Sequence, residues 1–155
     1  MTQEKIEKSK QDTLKHIDEV RNAIQAAIKE LECRAKYHDQ SKLEEPELSI
    51  FAEYGPRLKE TTYGSDEYKN NLKEMNKALQ HHYENNTHHP EYYENGVSGM
   101  DIFDVIEMLC DWVAACKRHD DGDVMRSLEI NKNRFNLDNQ LYQIFKNTFE
   151  RNILE

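Results

Sequence analysis

The 155-residue chain is poor in the residues that break, staple or anchor a polypeptide. Five glycines and three prolines leave little turn chemistry, so long helices are expected. Cys33, Cys110 and Cys116 form no CxxC pair and no metal-finger spacing. An odd cysteine count, with a polar and charged stretch over residues 1–10 in place of an export segment, points to a reducing, cytoplasmic setting. No apolar window approaches membrane-spanning length, so no membrane partner is expected. Gly-rich phosphate loops are also missing. Basic residues are outnumbered: 21 Lys and Arg against 30 Asp and Glu give a net charge of −9. That balance argues against a grip on long nucleic acid, which needs a basic surface. A small phosphorylated substrate stays open, because bound cations invert local electrostatics.

What is present is helical periodicity. Ile17, Val20, Ile24, Ile28 and Leu31 recur at helical spacing within a segment from about 3 to 34. A polar junction follows over 38–46. A short helix is expected over 47–54, halted by Gly55-Pro56. Gly64-Ser65-Asp66 offers a start for a helix over 66–84, with Leu72, Met75 and Leu79 on one face. Residues 85–99 read as irregular. A strongly periodic helix is expected over 101–118, with Ile102, Ile106, Leu109 and Val113 as its apolar face. After a break at 119–123, Met125, Leu128, Ile130, Phe135, Leu137, Leu141, Ile144, Phe145 and Phe149 are core candidates. No segment alternates as a strand would. The expectation is an all-α single domain over 1–155, with a motif-bearing core at about 16–116 and C-terminal helices over 124–154. Phe145, Phe149, Ile153 and Leu154 leave a homo-oligomer open.

Three polar constellations stand out. His38-Asp39 with Lys42 combines an imidazole and a carboxylate, which can share a divalent ion, with an ammonium that can meet a phosphate oxygen. The plainer reading is a helix cap by Asp39 or Ser41. Residues 79–93 hold four of the seven histidines: His81, His82, His88 and His89. A loop that turns back can bring His82 beside His88 or His89, although a solvated polar loop would look the same. Glu84 and Glu91 flank the cluster as acid–base or orienting groups. Over 100–118, Asp104, Glu107 and Asp111 fall on one helical face, either solvated or relieved of mutual repulsion by a metal. His16 is a fourth candidate. An unbroken helix to His38 would hold the two imidazoles roughly 33 Å apart, at 1.5 Å per residue.

In this order, the constellations resemble the HD-domain superfamily of metal-dependent phosphohydrolases. His38-Asp39 with Lys42 resembles its central motif, Asp111 its closing acid, and the string 16–20 its early helix. The run HDxSK, HHYxxNxHHPEYY and EMxxDWxAA is more closely similar to an HD-like family of bacteria and phages without an assigned activity. The resemblance implies a helical bundle with a central metal site. His38, Asp39 and Asp111 would hold one ion, and His82 with His88 or His89 a second, with His16, His81 and Asp104 ranked behind them. One or two ions of Mn, Fe, Co, Ni or Zn would suit that set. Hydrolysis of a nucleotide or cyclic nucleotide by metal-activated water is implied, with Lys42, Glu91 and Glu107 as catalytic groups. The alternative is a non-catalytic metal-containing module that binds such a ligand.

Overall fold

Scarcity of glycine and proline becomes seven α-helices among the described residues. The computed structural model describes residues 2–62, 65–118 and 122–154. The first helix, α1 (Gln3–Tyr37), runs unbroken for 35 residues because no glycine or proline interrupts it. Its exposed face is laced by i,i+4 pairs such as Arg34–Glu30 at 2.9 Å. The chain forms two compact units, Met1–Tyr37 and His38–Glu155.

Within the second unit, α2 (Glu47–Glu60) starts directly after Pro46 and packs on α4 (Asn76–Asn85). Gly55-Pro56 does not halt α2, which continues through both to Glu60. A proline forfeits one backbone bond, and packing of the helix face outweighs that loss. The helix expected over 66–84 is two helices, α3 (Asp66–Glu74) and α4. Their junction is Met75, which is buried and has a ψ of −2° that takes the chain off the helical track. Ser65 caps α3 by accepting the Tyr68 N–H at 3.1 Å.

The stretch after α4 contains the 3₁₀ turns Pro90–Tyr92 and Gly96–Gly99. A Cβ at Gly99 would lie 2.8 Å from Tyr93 Cβ, so only glycine lets Tyr93 close in there. Helix α5 (Ile102–Cys116) starts from a capping box between Asp101 and Asp104. Asp123 and Asp138 cap α6 (Val124–Arg134) and α7 (Asn139–Glu150). Residues 119–121 of the expected break lie outside the described residues.

Helices α5, α6 and α7 enclose one apolar cluster around Met108, Leu128 and Phe145. Trp112 stacks on Phe135 and meets Phe145 edge-on, with centroids 6.1 Å apart in both cases. The orientation of α5 differs from the expected one. Val105, Met108 and Trp112 join Leu109 and Val113 inside, whereas Ile102 is 63% exposed. Rotating Trp112 inward buries more apolar area than Ile102 would. Ile144 likewise stays outside, at 59% exposed, because Phe145 and Phe149 take the inner face of α7. No strand occurs among the described residues, and no described helix is long and apolar enough to cross a membrane.

Candidate metal centre

Asp39 adopts a left-handed φ of 57°, unusual for a residue with a side chain. This turn starts the 3₁₀ segment Gln40–Leu43 and sets Asp39, Ser41 and Lys42 around one point. Helix α4 brings His82, the following loop brings His88 and His89, and α5 brings Glu107 and Asp111. The side chains of His82 and His88 are almost fully buried, at 3% and 2% exposure.

Four donors converge: Asp39 with His82, His88 and His89, all within 4.8 Å of one another. His82 Nε2 lies 2.8 Å from His89 Nε2 and 3.3 Å from Asp39 Oδ1. His88 Nε2 lies 3.5 Å from the same oxygen. Donors about 2.1 Å from one ion are about 3.0 Å apart at right angles and about 3.4 Å apart at the tetrahedral angle. The 3.3 and 3.5 Å edges come close to that range, and the 2.8 Å edge would open by a few tenths of an ångström around a shared cation. Asp39 Oδ1 and His88 Nε2 are also buried without a hydrogen-bond partner among the described residues. Such buried polar atoms are costly unless something satisfies them.

Two further carboxylates hold the imidazoles from behind. Glu47, fully buried at the first turn of α2, meets His81 Nδ1 at 2.7 Å and His82 Nδ1 at 2.9 Å. Glu107 meets His38 Nδ1 at 2.8 Å and His88 Nδ1 at 3.2 Å. A carboxylate that accepts from Nδ1–H leaves Nε2 as the free donor, which is how orienting groups support metal-binding histidines. The Asn86 amide donates to Ser41 Oγ at 2.8 Å and to the His82 carbonyl at 2.7 Å, tying the centre to the 3₁₀ turn. Glu47 and Asn86 are not singled out by the sequence. Glu47 is one of three glutamates within 44–47, and only the fold shows which one points inward.

The electrostatics favour neutral His82 and His89 facing an ionised Asp39. Burial, then the charges of His88, His82 and Lys42, pushes the His89 pKa down to about 2. Burial and the Lys42 charge also hold His82 below its usual value. His38 moves up, because its bond to Glu107 outweighs burial and the Asp39 and Asp111 charges add to it. Burial alone would raise Asp39, but the charge and hydrogen bond of Lys42, with His38 and His82, keep it below the usual carboxylate range.

Other residues singled out in the sequence are placed elsewhere. Asp104 accepts the Tyr93 hydroxyl at 2.6 Å and the Asp101 N–H at 2.9 Å, so it anchors the loop to α5. Glu91 pairs with Arg134, which also donates to the Tyr83 hydroxyl at 3.3 Å. Among the described residues, His81 meets the centre through Glu47 and is in none of the converging donor groups. His16 lies on α1, about 32 Å along the helix from Tyr37, and is in none of the converging donor groups. His38 and Asp111 form a further group with Asp39, and His38 another with His88 and Glu107.

Three imidazoles and one carboxylate suit a borderline divalent ion better than a thiolate-seeking one. The buried cluster is thus consistent with a metal-coordinating centre in an all-helical protein. No curated protein and no solved structure gave a significant match to the chain. Residues 5–153 match the model of a family of unknown function (DUF5662). With nearly the whole sequence covered, the chain belongs to that family.

Proposed function

We propose that this protein is a divalent-metal-binding helical module, with Asp39, His82, His88 and His89 as ligands and Glu47 and Glu107 orienting them. The observation that carries this reading is the convergence of four donors, two of whose atoms are buried and unpartnered among the described residues. The preferred ions are Mn, Fe, Co, Ni or Zn. Elemental analysis of the purified chain beside Asp39→Ala tests it. Stoichiometric metal in wild type and its loss in the variant are expected. Equal metal content in both, or none in either, overturns the reading.

A second reading adds chemistry: hydrolysis of a small phosphoester, a nucleotide or a cyclic nucleotide. Its support is the resemblance to the HD superfamily and the polar edge of the centre, where the side chains of His38 and Lys42 are 30% exposed. A bound dication would supply Lewis acidity at that edge. Lys42 would neutralise a phosphate oxygen, and the tyrosines 83, 92 and 93 offer stacking surfaces near the loop. Without turnover the same centre would still bind the phosphorylated ligand. A mononucleotide and cyclic-nucleotide screen with Mn or Co separates hydrolysis from binding, since only hydrolysis releases product.

A further inference from the structure

The centre contains more donors than one ion needs. Beyond the four around Asp39 Oδ1, a second group comprises His38, Asp39 and Asp111. His38 Nε2 lies 3.4 Å from Asp39 Oδ2 and 3.8 Å from Asp111 Oδ1. One imidazole and two carboxylates at this spacing would suit a second cation. A cation already touches one of the three, Asp39. Lys42 donates to Asp39 Oδ2, the carboxylate oxygen on the His38 side, while Oδ1 faces His82 and His88. The two carboxylate oxygens are thus divided between two tasks, and the left-handed backbone at Asp39 fixes that division by placing Lys42 three residues on in the same 3₁₀ turn.

We propose that the protein holds one metal ion per chain, at Asp39, His82, His88 and His89, and that the Lys42 ammonium stands in for a second ion beside His38, Asp39 and Asp111. This rests on the metal-binding reading above and deepens it by fixing the number of ions. Occupancy explains the exclusion. Asp39 Oδ2 is the oxygen that a second ion would share with His38 and Asp111, and the Lys42 ammonium already holds it. A second dication beside Lys42 would make two cations compete for one carboxylate oxygen at close range, where like charges repel strongly. The ammonium would have to leave before the ion could enter. Removing its charge while keeping its length therefore converts a one-ion centre into a two-ion centre.

The test uses the full chain, stripped with a chelator and reloaded with Zn²⁺, with the ions per chain read by native mass spectrometry. Wild type and Lys42→Arg should each hold one ion. Lys42→Met should hold two, and Asp111→Asn in the Lys42→Met background should return the count to one. Two ions in wild type, or one in Lys42→Met, overturns the proposal. An absence of any ion in wild type overturns the metal-binding reading itself, so the two failures are distinguishable. Should Lys42→Met not fold, wild type loaded with excess Mn²⁺ decides by electron paramagnetic resonance. Isolated Mn²⁺ signals are expected there, and an exchange-coupled pair overturns the proposal.

Discussion

The α5–α7 cluster and the histidine centre are both interior, and they are stabilised by opposite physics. Around Phe145 and Leu128 the packed side chains are mainly apolar, and stability follows the area removed from water. Around Asp39 the buried groups are carboxylates and imidazoles, and two of their atoms lack partners among the described residues. The first region is complete as a folded core; in the metal-binding reading proposed above, a cation would complete the second. Helix α5 belongs to both, with Met108 and Trp112 on the apolar side and Glu107 and Asp111 on the polar side. One amphipathic helix thereby fixes the position of the centre against a rigid core, as a preorganised site requires.

The sharpest way to separate the regions is to damage each and follow metal and stability independently. Phe145→Ala should cost about 3–5 kcal/mol. Denaturant unfolding should show the same loss with and without added metal. A loss that vanishes on metal addition would mean that the two regions are not distinct.

Glu47→Gln should act the other way round. A carboxamide cannot accept from both His81 and His82, so His82 loses its fixed tautomer. Metal affinity should fall about tenfold to a hundredfold, read by chelator competition, while the α5–α7 cluster stays intact by tryptophan fluorescence of Trp112. Unchanged affinity would remove Glu47 from the centre.

The smallest effect is on pH dependence. His82 and His89 have folded pKa values below that of a free imidazole, about 6.5. As pH falls through that value, the unfolded chain takes up protons that the fold refuses, so the metal-free protein loses stability. His38 is shifted upward, so its contribution is intact in this window and is lost only as pH rises through its folded value. Asp39 is shifted downward, so its contribution is lost only in stronger acid. With a folded value of about 2, His89 should account for a slope on the order of 1 kcal/mol per pH unit between pH 6.5 and 5. Urea midpoints of the chelated chain and of His89→Asn check this. The variant should lose the steeper part of the slope, and parallel curves would contradict it.

Much of the helical architecture was legible because helical periodicity is a local signal. Leu128, Leu137, Phe145 and Phe149 were readable as core from spacing alone. The rotation of α5 was not, because Ile102 and Val105 are equally apolar and only the partners α6 and α7 decide which one faces inward. At the centre, the density of histidines at 81–89 singles out a stretch from which the fold brings His82, His88 and His89 together with Asp39. Glu47 was invisible, since its role comes from a long-range meeting of α2 with α4 that no local pattern encodes. Nothing local separates Glu91 from the acids of the centre, yet Arg134 engages it, and Asp104, a lower-ranked ligand candidate, is held in a capping box.

The most direct measurement is a crystal structure of the chain loaded with Zn²⁺, with the ion located by anomalous scattering at the zinc edge. One strong peak is expected, bounded by Asp39 Oδ1 and the Nε2 atoms of His82, His88 and His89, each about 2.0–2.2 Å away. A peak held by other residues, with those three imidazoles turned from it, would contradict the assignment of the centre.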